Sequence, residues 1–249
     1  DKYRRPDVIH RAEEAVSGWA KLGMWLPEDK QVEFFRSEFD LTHDILAREL
    51  RNAAPDIRKA AAYVIEELKA DAIGLSPEVV TCLREETDTM ARIYLMNALV
   101  GIGDRSVNAI DAIRDRWATP ITQDEYSIDE KLTAASALWR LSDQEADRKV
   151  AQDFVLTWLM PVPAELDGDK RDFYLDRQLH AVHCIRSMPG FTEAVPALQK
   201  LLESPAKSWM NQWVPEAIDA ARAPKDLWRL PPILVVLACQ RQRPSASPN

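Results

Sequence analysis

One pattern recurs five times along this chain: a basic or amide residue, two residues, a small pair, one residue, then an apolar pair and another apolar position three residues on. It reads Arg58 with Ala61, Ala62, Val64, Ile65 and Leu68. It returns as Arg92 with Leu95, Met96, Ala98, Leu99 and Ile102, and as Lys131 with Ala134, Ala135, Ala137, Leu138 and Leu141. Two weaker copies follow, led by Gln178 (Ala181, Val182, Cys184, Ile185, Met188) and by Asn211 (Val214, Pro215, Ala217, Ile218, Ala221). Successive leaders are 34, 39, 47 and 33 residues apart. That is the period of stacked helical hairpins, in which no unit buries its apolar stripe alone.

Positions 0, +3, +4, +7 and +10 of each copy share one face at about 100° per residue, so each copy reads as the second helix of a hairpin. Stripes suited to first helices precede them: Leu41, Ile45, Leu46 and Leu50; Val79, Val80 and Leu83; Val107, Ile110, Ile113 and Trp117; Val150, Phe154, Val155, Trp158 and Leu159; and Ala194, Val195, Leu198, Leu201 and Leu202. Ser76-Pro77-Glu78 reads as an N-cap followed by a first-turn proline and acid, while Ser127 with Glu130 and Ser142 with Glu145 fit capping boxes. The wide spacings locate insertions at Thr119 to Tyr126 and Pro161 to Lys170. Residues 1–40, with Ala12, Ala15, Val16, Trp19 and Leu22 and then Val32, Phe35 and Phe39, suit an N-terminal helical cap. Residues 41–223 form the array, and 224–249 hold a capping helix over Leu227 to Leu237 and a disordered tail.

Only seven glycines occur among abundant Ala, Leu, Glu, Arg and Lys, so an all-α fold without sheet is expected. The net charge of −8 argues against nonspecific nucleic-acid binding, which needs clustered cations to offset phosphate. No stretch approaches 18 apolar residues, so no membrane span is expected. Cys82, Cys184 and Cys239 form no CxxC pair and read as free thiols. These slightly favour the cytoplasm, although an exported protein with a removed signal and no disulfides would look the same. The start at Asp1 fits removal of an export signal or of an upstream domain.

The copies at Arg58 to Leu68, at Arg92 to Ile102 with Gly101-Ile102-Gly103-Asp104, and at Lys131 to Leu141 with Ser142-Asp143 resemble HEAT repeats, of the bacterial kind related to phycobilin-lyase HEAT-like repeats. The resemblance covers about residues 41 to 223. It implies a right-handed α-solenoid of about five to six antiparallel helical hairpins, with second helices lining the concave side and holding another macromolecule. Two other activities are implied by the same resemblance: a bilin lyase or chaperone, and a HEAT-like glycosylase of alkylated DNA in which Trp139, Arg140 and Trp213 would cradle a base. The acidic balance speaks against the second. The di-iron hydroxylases of this repeat class use His-Glu dipeptides, and none occurs here.

Positions +1, +2, +5, +8 and +9 point away from the shared apolar face and are expected to line the concave groove. They hold Tyr63, Tyr94, Asn97, Trp139, Arg140, His180, His183, Arg186, Trp213 and Glu216, beside Lys59, Glu66 and Asp219. Tyr, Trp and Arg are frequent interface anchors, and their simpler role is packing between helices. His180 and His183 sit one turn apart, but no third ligand is placed near them, so they read as groove residues that change charge near neutral pH and not as a metal site. Asp56 and Asp88 are expected to pair with Arg58, Arg92 or Lys131 along the stack. Phosphate loops, GxSxG, HExxH and EF-hand loops are absent. The sequence therefore points to a noncatalytic, cofactor-free scaffold, monomeric or one segment of a larger chain, that binds a protein or peptide partner.

Overall fold

A computed structural model describes residues 6–22, 29–122, 126–163, 165–203 and 209–224. The described residues hold helices and no strand. In chain order these are α1 (Pro6–Leu22), α2 (Asp29–Ser37), α3 (Phe39–Glu49), α4 (Pro55–Leu68), α5 (Ser76–Glu85), α6 (Thr89–Ile102), α7 (Val107–Ala118), α8 (Ser127–Leu141), α9 (Glu145–Trp158), α10 (Gly168–Arg186), α11 (Val195–Glu203) and α12 (Trp209–Arg222). Short 3-10 turns at Lys69–Leu75 and Thr192–Ala194 lead into α5 and α11. The five motif copies lie in α4, α6, α8, α10 and α12, and the expected first-helix stripes fall in α3, α5, α7, α9 and α11. The side chains of Trp19, Leu22 and Val32, the cysteine at 239, and the expected C-terminal helix and tail lie outside the described residues.

The chain divides into two units, Asp1–Asp147 and Arg148–Asn249, a division that the repeat spacing does not show. In the first unit α4 packs against α6 and α6 against α8, while α5 lies against α6 and α7, and α7 against α8. The helix α1 packs on α3 and α4. The shared core is the motif's own apolar face: Ala61, Ala62, Ile65, Leu68, Leu95, Met96, Leu99, Ala134, Ala137 and Leu138 are all buried. In the second unit α10 and α11 both pack against α12, around Val182, Ile185, Leu198, Val214 and Ala217.

The residues that lead the first four copies have a common task. Arg58 donates from Nη1 to the carbonyls of Asn52 and Ala53, at 2.8 and 3.1 Å, and Arg92 does the same to Glu86 and Thr87, at 3.3 and 2.9 Å. Both reach carbonyls six and five residues upstream, in the turn just before their own helix. Where the Thr119–Tyr126 insertion lengthens that turn, Lys131 reaches instead to the Trp117 carbonyl at the end of α7, and its ammonium lies 5.1 Å from the Trp117 ring centroid. Gln178 donates to the Met160 carbonyl after α9, at 2.9 Å. A basic or amide residue suits this place because turn carbonyls lack an intrahelical partner and a long side-chain donor can reach them.

The remaining faces of the two arginines fork onto the next hairpin. Arg58 meets both oxygens of Glu86 at 2.6 Å, and Arg92 meets those of Glu130 at 2.7 and 2.9 Å. The expected partners Asp56 and Asp88 serve otherwise: Asp56 pairs with Lys59, and Asp88 caps α6 by accepting from the Ala91 amide. The use of Glu130 by Arg92 also displaces the expected capping box at Ser127, whose hydroxyl donates to the Thr122 carbonyl. Ser76 is the first residue of α5, with Leu75 at the cap, and its hydroxyl bonds to Asp104.

Two glycines at the end of α6 set its packing. Gly103, at φ +76°, terminates the helix in the left-handed region that a side chain would strain. A Cβ on Gly101 would stand 2.5 Å from the Glu66 carbonyl oxygen, so the bare glycine lets α6 approach the backbone of α4. Gly101→Ala is expected to lower stability by roughly 2 kcal/mol, read from chemical denaturation. Arg92→Ala and Glu130→Ala are each expected to cost roughly 3 kcal/mol, and the double variant markedly less than the sum. Strict additivity in that cycle would show that the fork contributes nothing.

Candidate functional site

In the first unit, the outward positions of the second helices bring together Tyr63 and Glu66 on α4, Tyr94 and Asn97 on α6, and Arg140 on α8. All five are partly buried. The Tyr63 and Tyr94 rings meet edge to face, with centroids 6.4 Å apart. Burial raises both phenols above their ordinary value, aided by the nearby acids, so they stay protonated donors. The Glu66 carboxyl is pushed up to about 7, first by burial and then by the charge of Glu67, against the pull of Arg140 and Lys69. Burial lowers Arg140 while Glu66 opposes it. Glu66 and Arg140 thus feel one another, yet no ion pair or hydrogen bond joins their side chains to any described residue.

Trp139 departs from the expectation that it projects into a groove. Its side chain is only 6% exposed. The helix α8 is buried around nearly its whole circumference, only Ile128 and Arg140 being more open. It tolerates this because its buried polar side chains find partners: Glu130 and Lys131 outside the helix, in Arg92 and the Trp117 carbonyl, and within it the Thr133 hydroxyl donates to the Asp129 carbonyl and the Ser136 hydroxyl to the Thr133 carbonyl, both at 2.9 Å. Trp139 is therefore no open anchor.

In the second unit α10 and α12 gather the other expected residues. The His183 and Trp213 rings meet at 5.1 Å, the Arg186 guanidinium lies 4.7 Å from the Trp213 centroid, and Arg186 pairs with Glu216 at 2.8 Å. This open cluster is self-satisfied: its cation already stacks on its own tryptophan and meets its own acid. Contrary to the expected charge change near neutral pH, burial pushes His180 down to about 4, with the His183 and Arg177 charges adding to it. His183 is lowered as well, by burial and by Arg186, against the pull of Glu216. Among the described residues no group of three or more His, Cys, Asp or Glu side chains could hold a metal ion.

A cleft of about 350 Å³ also opens in this unit, lined by Leu159, Met160, Arg171, Gln178, Pro196 and Lys200 among others. None of the groove residues expected from the sequence lines it. The Gln178 Oε1 is sealed and unpartnered while its Nε2 holds the Met160 carbonyl. Only the leading position of Gln178 in its copy could have pointed there.

No protein-family model, curated protein or solved structure matches this chain. No helix among the described residues is long and apolar enough to cross a membrane.

Two titrations carry opposite signs. Because the fold raises the Glu66 carboxyl above its ordinary 4.5, the unfolded chain loses that proton first. Stability therefore falls as pH rises from about 4.5 to about 7. Because the fold lowers His180 below its ordinary 6.5, stability falls as pH drops from about 6.5 to about 4. Glu66→Gln is expected to raise the unfolding free energy at pH 8, by on the order of 2 kcal/mol from chemical denaturation, and to leave it unchanged at pH 4. An equal effect at both values would place Glu66 in an ordinary solvated setting.

Proposed function

We propose that this chain is a noncatalytic α-solenoid of the HEAT type, which holds a protein or peptide partner on the face formed by the second helices of its hairpins. The observation that carries it is the row α4, α6, α8, which packs in sequence and leaves Tyr63, Glu66, Tyr94, Asn97 and Arg140 partly open on one side. A second helix whose apolar face is consumed by its neighbours has only the opposite face to offer. Here that face carries the residue types that anchor interfaces, two tyrosines and an arginine, already restrained by their helices. Stacking multiplies such faces into a surface larger than one hairpin provides, which suits an extended partner more than a small substrate. The repeat resemblance at Arg58, Arg92 and Lys131 supports the same role.

Photo-crosslinking tests it. A photoreactive residue at position 97 is expected to yield discrete adducts in lysate of the source cells. The same residue at position 107, 71% exposed on α7, is expected to yield none. Equal labelling from both positions, or no adduct from position 97, would overturn the assignment of this face.

A further inference from the structure

We propose that the α4/α6/α8 face recognises a partner segment carrying a cationic and an acidic side chain close together, the cation against Glu66 and the tyrosines, the acid on Arg140. This rests on the binding-face reading above and specifies its partner chemistry. Several other arginines of the first unit are paired. Arg58, Arg92, Arg105 and Arg114 each meet a carboxylate, of Glu86, Glu130, Asp143 and Asp147 respectively. Arg140 has no such partner, although it is partly buried and its charge is opposed by desolvation. Glu66 is in the same condition. The charged atoms of both remain within reach of solvent and are not among the sealed polar atoms of the fold.

Glu66 is on α4 and Arg140 on α8, the helices that flank α6. Counting from the leading cations, Glu66 is at +8 and Arg140 at +9, and the +9 position of α6 between them is Gly101. The bare Gly101 lets α6 approach the Glu66 backbone and so fixes α4 against α6 at this level. Glu66 and Arg140 thus stand on the two helices that flank α6 with no ion pair between them, and Glu66 acts on the phenols of both Tyr63 and Tyr94, whose rings meet edge to face.

Holding two half-desolvated charges apart is unfavourable in the free protein and is relieved by a ligand bearing the reverse pair. An ammonium or guanidinium gains the Glu66 carboxylate and the faces of two tyrosines, and a carboxylate gains the fork of Arg140. A purely acidic segment would set its charge beside Glu66, and a purely basic one would set its charge beside Arg140. The protein's net charge of −8 also disfavours the acidic segment at long range.

The test uses four fluorescein-labelled peptides on one Gly-Ser-Tyr background, carrying Lys with Glu, two Lys, two Glu, or neither, titrated with the full chain and followed by anisotropy. The Lys-Glu peptide is expected to bind about tenfold more tightly than the other three. Glu66→Gln and Arg140→Gln are each expected to erase that preference, whereas Arg84→Gln, whose guanidinium bonds the Asn108 carbonyl on α7, is expected to keep it. Thermal melting confirms that each variant is folded. Equal binding of all four peptides, a preference for two Glu or two Lys, or no binding overturns this inference. Adducts from position 97 combined with any of those results would leave the binding face standing and remove only its charge code.

Discussion

Every hairpin in the first unit depends on how the backbone carbonyls of its turns are satisfied. A chain that reverses between two packed helices leaves acceptors at the end of the first without an intrahelical partner. Arg58, Arg92 and Lys131 each send a donor into that turn, and Gln178 does so in the second unit. The apolar positions that follow give the packing energy, but they tolerate exchange among Ala, Val, Leu, Ile and Met. The leading donor does not tolerate exchange with an apolar group, which explains why it is the most recognisable letter of the repeat. Once the arginine is fixed by two carbonyls, its remaining edge is aimed at the neighbouring hairpin, and the fork to Glu86 or Glu130 follows from that aim.

The helices were legible because their signal is local and repeated. Stripes at helical spacing, such as Ile45 with Leu46 or Ala61 with Ile65, predict buried faces, and those residues are buried. Partners of the arginines were not legible, because Glu86 precedes the next leading cation by six residues and Glu130 by one, so no fixed offset marks them. Asp56 and Asp88 stand closer in sequence and were the natural choice, yet both are taken by their own helix termini. The same limit applies to Trp139. Its outward register is correct for a helix covered on one side, and α8 is covered on nearly all sides, a property of neighbours that a single helix does not encode.

The two clusters of candidate residues differ in a way that their composition hides. On α10 and α12, aromatic, cation and acid find one another, with Arg186 stacked on Trp213 and paired to Glu216. On α4, α6 and α8 the aromatics meet, but the acid and the cation do not. A charge that is left unpaired in a setting that penalises it is a more specific pointer to recognition than an exposed aromatic, because the fold has given up stability to keep it. The sequence names both residues at +8 and +9 of their copies, but not that the fold leaves them without an ion pair among the described residues.

The forks from Arg58 to Glu86 and from Arg92 to Glu130 join hairpins that are neighbours in the chain. Detaching one hairpin would strip a guanidinium from its acid and strand both in half-dry surroundings, a far larger penalty than losing the same area of apolar contact. Fraying inward from one end, the usual weakness of modular arrays, is thereby discouraged. The three central modules of this unit are latched, so they should open together or hardly at all, and amide protons along α4, α6 and α8 would then share one exchange rate limit.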